Sequence, residues 1–161
     1  MPDLIGSATG GFNGVTKEYP VASGVTVTSG DFVYLTAGRV TSATVAGATL
    51  LGMVLGGQSN DPSNVANTQT AAGDADGTVK VLVHVDPDNK YVVTSDEVAA
   101  TLAASDIGKA FDLIGATGAQ LLDVSTGSTT TGTLEVVQVG YDNSTIKAVV
   151  IINEHKYKVN A

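Results

Sequence analysis

Apolar residues in this chain fall in short runs with period-two alternation, each bounded by Gly, Asp, Asn or Pro. The clearest is Val79-Lys80-Val81-Leu82-Val83-His84-Val85, whose valines share one face of an extended chain while Lys80, Leu82 and His84 take the other. The same pattern predicts strands over 32–35, 39–42, 50–55, 90–93, 111–114, 120–124, 133–139 and 145–152, with the chain entering the fold near Val25-Thr26-Val27. Asp86-Pro87-Asp88-Asn89 reads as a turn that returns 90–93 as the hairpin partner of 79–85, and Asp142-Asn143-Ser144 joins the last two strands. One stretch has helical character: Thr94-Ser95-Asp96-Glu97 ahead of an alanine-rich run predicts at most one short helix near Asp96 to Ala104. The expected fold is all-β, a small barrel or sandwich of short antiparallel strands.

Part of this pattern occurs twice. Gly30-Asp31-Phe32-Val33-Tyr34-Leu35, Ala37-Gly38-Arg39-Val40-Thr41-Ser42 and Gly47-Ala48-Thr49-Leu50-Leu51 form one copy. Gly108-Lys109-Ala110-Phe111-Asp112-Leu113, Gly118-Ala119-Gln120-Leu121-Leu122 and Gly132-Thr133-Leu134-Glu135-Val136 form the other. Each reads as strand, Gly turn, strand, Thr/Ser-rich loop, strand. The phenylalanines are offset by one position, and the second middle loop is longer.

Ahead of the first copy, residues 1–30 read as an extended N-terminal arm, with residues 31–161 as a single β-rich domain. The arm is rich in Gly, Ser and Thr, and carries the spaced anchors Leu4, Ile5, Phe12, Val15 and Tyr19. Such an arm either lies along its own domain or reaches onto a neighbour. Gly56 to Gly77 is a long polar stretch, a second candidate contact surface or a plain solvated excursion. The tail from Glu154 to Lys158 is a frayed end or a docking strand.

Composition supports a folded β protein. The 161 residues have a mean hydropathy of +0.20, only 15% charged residues and 19 glycines. β-branched residues suit a pleated surface, and glycines supply the positive φ that turns require. Eight basic against sixteen acidic residues give a net charge of −8. The single arginine, Arg39, and scattered lysines provide no positive footprint for nucleic acid, and the acidic balance disfavours anionic membranes. Without cysteine there is no disulfide, thiolate or zinc–thiolate chemistry. No apolar run reaches the length of a membrane-spanning helix, and residues 1–6 show no secretory leader.

Candidate chemistry is sparse. His84 and His155 lie in separate segments, His84 expected on a strand surface and His155 in a polar tail. Asp74-Ala75-Asp76-Gly77 and Asp86-Pro87-Asp88-Asn89 suggest oxygen ligands for calcium, but Thr78 and Lys90 break the EF-hand pattern and turn chemistry accounts for both. The Gly-rich stretches contain no phosphate-loop lysine, and no nucleophile elbow is present. The expectation is therefore no catalytic residue, no metal and no cofactor.

The run from Gly30 through Gly56, with Val81-Leu82-Val83-His84-Val85-Asp86 and Ser105-Asp106-Ile107-Gly108-Lys109-Ala110-Phe111-Asp112-Leu113, resembles the capsid decoration (cement) proteins of tailed bacteriophages. The resemblance implies a non-enzymatic virion protein on the outer surface of the head, commonly trimeric, with the major capsid protein as partner. It brings no active-site residues. In that setting the arm anchors Leu4, Ile5, Phe12 and Tyr19 become the candidate capsid contacts. The alternatives are a carbohydrate-binding or adhesin-like β module, which would lack tryptophan platforms here, and a carboxylate-based hydrolase, for which no paired signature exists.

Overall fold

The computed structural model describes residues 3–7, 15–43, 49–58, 70–97, 102–128 and 131–153. The chain is all-β. Its strands are β1 (Asp3–Ser7), β2 (Thr16–Pro20), β3 (Thr26–Thr28), β4 (Phe32–Thr36), β5 (Arg39–Ser42), β6 (Leu50–Gln58) and β7 (Thr70–Ala72). They continue with β8 (Lys80–His84), β9 (Asn89–Thr94), β10 (Ala110–Ile114), β11 (Leu121–Ser128), β12 (Leu134–Val139) and β13 (Lys147–Ile152). Short 3₁₀ turns at Ala104–Asp106 and Tyr141–Asn143 are the helical elements among the described residues. The first begins at Ala104, the last residue of the helix expected near Asp96 to Ala104, and residues 98–101 of that stretch lie outside the described residues. The second replaces an expected plain turn.

The repeat seen in the sequence is the visible part of a larger one. One antiparallel sheet runs β2-β8-β6-β4-β5, and the other runs β1-β9-β13-β12-β10-β11. Leaving out β1, the two orders are the same when β2, β4, β5, β6 and β8 are matched to β9, β10, β11, β12 and β13. Hydrogen bonds outside the ladders repeat as well. Gly30 N–H donates to Val54 O and Gly108 N–H to Val136 O, both at 2.8 Å. Val21 N–H donates to Val79 O at 2.9 Å, and Ser95 N–H to Ile146 O at 2.8 Å. Each sheet curls until its far strands meet at a single parallel bridge, Val21 to Val40 in one and Ser95 to Leu122 in the other. Even the bulges recur, between Val54 and Gly56 against β8 and between Val136 and Gln138 against β13. The molecule is two copies of a curled five-stranded unit in tandem.

Two apolar cores follow. In the first unit Val81, Val83 and Val85 line up as the alternation predicts, with Val21, Val27, Val33, Val40, Leu51 and Val54. The small β3–β7 sheet brings Val27 and Ala71 into that core. The second core contains Phe111, Leu122, Leu134, Val136, Val150 and Ile152, and it reaches across to Phe32, Leu50 and Met53 on the outer face of the first unit. The one-position offset of the phenylalanines explains this. By register Val33, not Phe32, matches Phe111, so Phe111 fills its own unit while Phe32 points the opposite way. There Phe32 meets Tyr91 edge-on, ring centroids 4.9 Å apart.

One expected pairing is corrected. β9 is not the hairpin partner of β8, because both edges of β8 are taken by β2 and β6. Asp86-Pro87-Asp88 instead carries the chain from one unit to the other, and Asp86 Oδ1 accepts the Asp88 N–H at 2.9 Å to hold the turn.

Candidate functional site

Residues 3–7 and 16–20 of the arm are strands of the two units: Leu4 sits opposite Tyr91, and Lys17 opposite Val83. Leu4 and Ile5 lie on β1, at the end of the six-strand order. Tyr19 is half-buried and packs against the valine core. Phe12 lies outside the described residues, as do residues 59–69 of the long polar stretch and residues 154–161, with His155. Of the four anchors, the described residues thus place Leu4 and Ile5 on a strand of one sheet and Tyr19 on a strand of the other.

His84 is a correction. It is 3% exposed rather than a surface side chain, since it stands beside Met53 on the face that the second unit covers. Burial lowers its pKa below the ordinary 6.5.

The Asp-rich turn at 74–77 is held by protein groups. Arg39 donates one guanidinium nitrogen to Asp74 O and the other to Ala75 O, each at 3.0 Å. The Asp74 carboxylate accepts Thr78 N–H at 2.8 Å and the Thr78 hydroxyl, and the hydroxyl bond holds its pKa below the ordinary range. The oxygens a cation would need already accept these donors. Asp112 and Asp123 stand opposite one another across β10 and β11, but Asp123 Oδ1 takes Ser125 N–H at 3.0 Å. Among the described residues, no three His, Asp or Glu side chains converge in a way that could hold a metal ion.

Two buried polar side chains, unmarked in the sequence reading, join the units. Asp31, 1% exposed, accepts Thr28 N–H at 2.8 Å within its own unit. Across the contact it accepts Gly118 N–H at 2.6 Å and the Thr117 hydroxyl. Gln120, also 1% exposed, accepts Phe32 N–H at 2.6 Å and donates to Phe32 O at 3.1 Å and Ala43 O at 3.2 Å. The sequence signal was faint: a lone Asp or Gln beside a Gly turn, normally read as turn chemistry.

What remains outward is a set of surfaces. Val15, Leu55, Ile107 and Ile114 are exposed large apolar side chains, between 43% and 49% accessible. Leu55 and Ile107 occupy the same corner of the two units, where the segment before β4 or β10 bonds to β6 or β12. Among the described residues no helix is long and apolar enough to cross a membrane. The class these observations define is an all-β protein made of a duplicated, curled five-stranded unit. Neither family models nor curated proteins give a match to the chain.

Proposed function

We propose that this chain is a structural protein of a phage virion, binding the outer surface of an assembled head and stabilising its shell. The observation that carries the reading is the tandem duplication. Two copies of one unit, each with an exposed apolar residue at the same corner, suit a partner whose own surface repeats, as a shell of identical subunits does. The resemblance to capsid decoration proteins in the segments around β4, β6, β8 and β10 points the same way. A net charge of −8 fits an exterior position away from packaged nucleic acid. The protein acts without catalysis or cofactor, as a homo-oligomer, most simply a trimer, whose several copies convert weak contacts into avidity.

Leu4, Ile5, Phe12 and Tyr19 remain the proposed capsid contacts. Tyr19 is the weakest of the four, because its ring already packs inward. Deleting residues 1–16 would strip β1 from β9, so point substitutions test the contact more cleanly. Undecorated heads are mixed with wild-type protein and with Leu4→Ser, Ile5→Ser and Phe12→Ser variants, then sedimented. Wild-type protein is expected to travel with the heads and raise their thermal stability, and the variants to bind weakly while keeping their own melting temperature. Wild-type protein left in the supernatant overturns the proposal; binding to a glycan array instead favours the carbohydrate module.

A further inference from the structure

The duplication leaves one asymmetry. In the second unit, β9 is flanked by β13 on one side and β1 on the other, with Asp3 opposite Val92 and Gly6 opposite Lys90. Matching Ser95 to Val21 through their equivalent bridges places Val15 to Glu18 of β2 where Asn89 to Val92 stand in β9. Among the described residues β2 pairs with β8 alone, and Val15, Thr16, Lys17 and Glu18 are all exposed. Main-chain direction can be read from its neighbours. Val85 N–H donates to Val15 O, and Val21 N–H to Val79 O, so the odd residues of β2 face β8. Alternation then turns the N–H and C=O groups of Thr16 and Glu18 outward. Their counterparts Lys90 and Val92 stand opposite β1.

We propose that the outer edge of β2 is a strand-addition site, taking an extended segment of a partner protein that carries a basic residue opposite Glu18. Main-chain hydrogen bonds to Thr16 and Glu18 supply affinity, and the side-chain pair sets the choice of partner. Charge argues against a second copy of this chain. An antiparallel β2–β2 pairing that joins Thr16 of one copy to Glu18 of the other sets Lys17 opposite Lys17, and one centred on Glu18 sets Glu18 opposite Glu18. One centred on Thr16 leaves Glu18 without a partner residue from the Thr16–Glu18 stretch. A β1 strand from another copy, in the register seen on β9, sets Asp3 opposite Glu18. Like charges directly opposed are unfavourable in each case but the Thr16-centred register. Glu18 does bridge Lys80 at 3.0 Å, but both side chains are over 40% exposed and the pair leaves the carboxylate accessible. Pro20, which lacks an N–H, ends the edge and limits the added strand to the Thr16–Glu18 stretch. The site stands on the internal repeat, and it becomes the shell contact only where the capsid reading holds.

The test is an amide NMR titration of the full-length, isotope-labelled protein with two synthetic hexapeptides, one alternating lysine with valine and one alternating glutamate with valine. The lysine peptide is expected to shift the Thr16 and Glu18 amides and slow their hydrogen exchange. The glutamate peptide is expected to bind roughly tenfold more weakly. Glu18→Lys, which keeps the main chain intact, reverses that preference, and Thr16→Pro removes the outward N–H and abolishes binding of both. Unmoved Thr16 and Glu18 amides, equal affinity for both peptides, or protein that dimerises through β2 overturns the proposal. No phage head enters this experiment, so its failure and that of the capsid reading are separable.

Discussion

Gln120 is tied to the main chain of the opposite unit, and the consequence of removing it follows from which groups keep a second partner. Phe32 O also accepts the Ala43 N–H at 2.9 Å, but the Phe32 N–H has Gln120 Oε1 as its acceptor. Gln120→Leu therefore orphans one buried donor, and urea unfolding is expected to show a loss of about 1–3 kcal/mol. Tyr91 is the opposite case. It is fully buried, and burial raises the pKa of its phenol. Its hydroxyl lies near the Asn89 amide without meeting hydrogen-bond geometry there or elsewhere. Removing an unsatisfied hydroxyl leaves ring packing against Phe32 intact, so Tyr91→Phe is expected to hold stability or raise it by roughly 1 kcal/mol. A loss above that in the same urea measurement would show that the hydroxyl is satisfied.

The elements obey tighter steric limits where two strands cross at a glycine. A Cβ built on Gly52 of β6 would lie 1.7 Å from the His84 carbonyl oxygen on β8, with φ at +154°. Backbone cannot give way there without breaking the β6–β8 ladder, so Gly52→Ala is expected to lower the thermal midpoint steeply or prevent folding. Circular dichroism melting against wild type checks it. Gly52 also shows what sequence pattern reveals about elements and what it hides. The β5, β8, β9 and β13 strands were legible because alternating valines or a turn residue marked each one. β1 and β2 were not, since Asp3–Ser7 and Thr16–Pro20 alternate poorly and draw their order from β9 and β8. Local pattern likewise joined β8 to β9 across a good turn. Which strand pairs with which is decided by the whole topology, and the duplication that decides it shows in sequence only at β4–β6 and β10–β12. The candidate site was less legible still: an open edge has no residue signature, and Asp31 and Gln120 look like ordinary turn residues.

At the scale of the molecule, the two units are tied by Asp31, Gln120 and the Phe32–Tyr91 contact, so a single cooperative unfolding transition is the expectation. Its pH dependence has a definite sign. His84 is buried in the folded chain, which depresses its pKa below 6.5, whereas the unfolded chain binds a proton there normally. As pH falls below about 6.5 the unfolded state therefore takes up protons first, and stability is lost until the folded-state pKa is passed. Above that window the contribution is complete. Asp106 acts in the same sense at lower pH. Lys109 bonds its carboxylate at 2.9 Å, and Ala103 N–H adds a second bond, so its pKa lies below 3.8 in the folded chain. Stability from that group is present above pH 3.8 and lost beneath it. Acid should thus weaken the fold in two separated steps. Urea midpoints measured from pH 7.5 down to pH 3 in wild type and in His84→Gln separate them. The variant is expected to lose the step below pH 6.5 and to keep the one near pH 3.8; a variant that retains the upper step unchanged assigns it to a group other than His84.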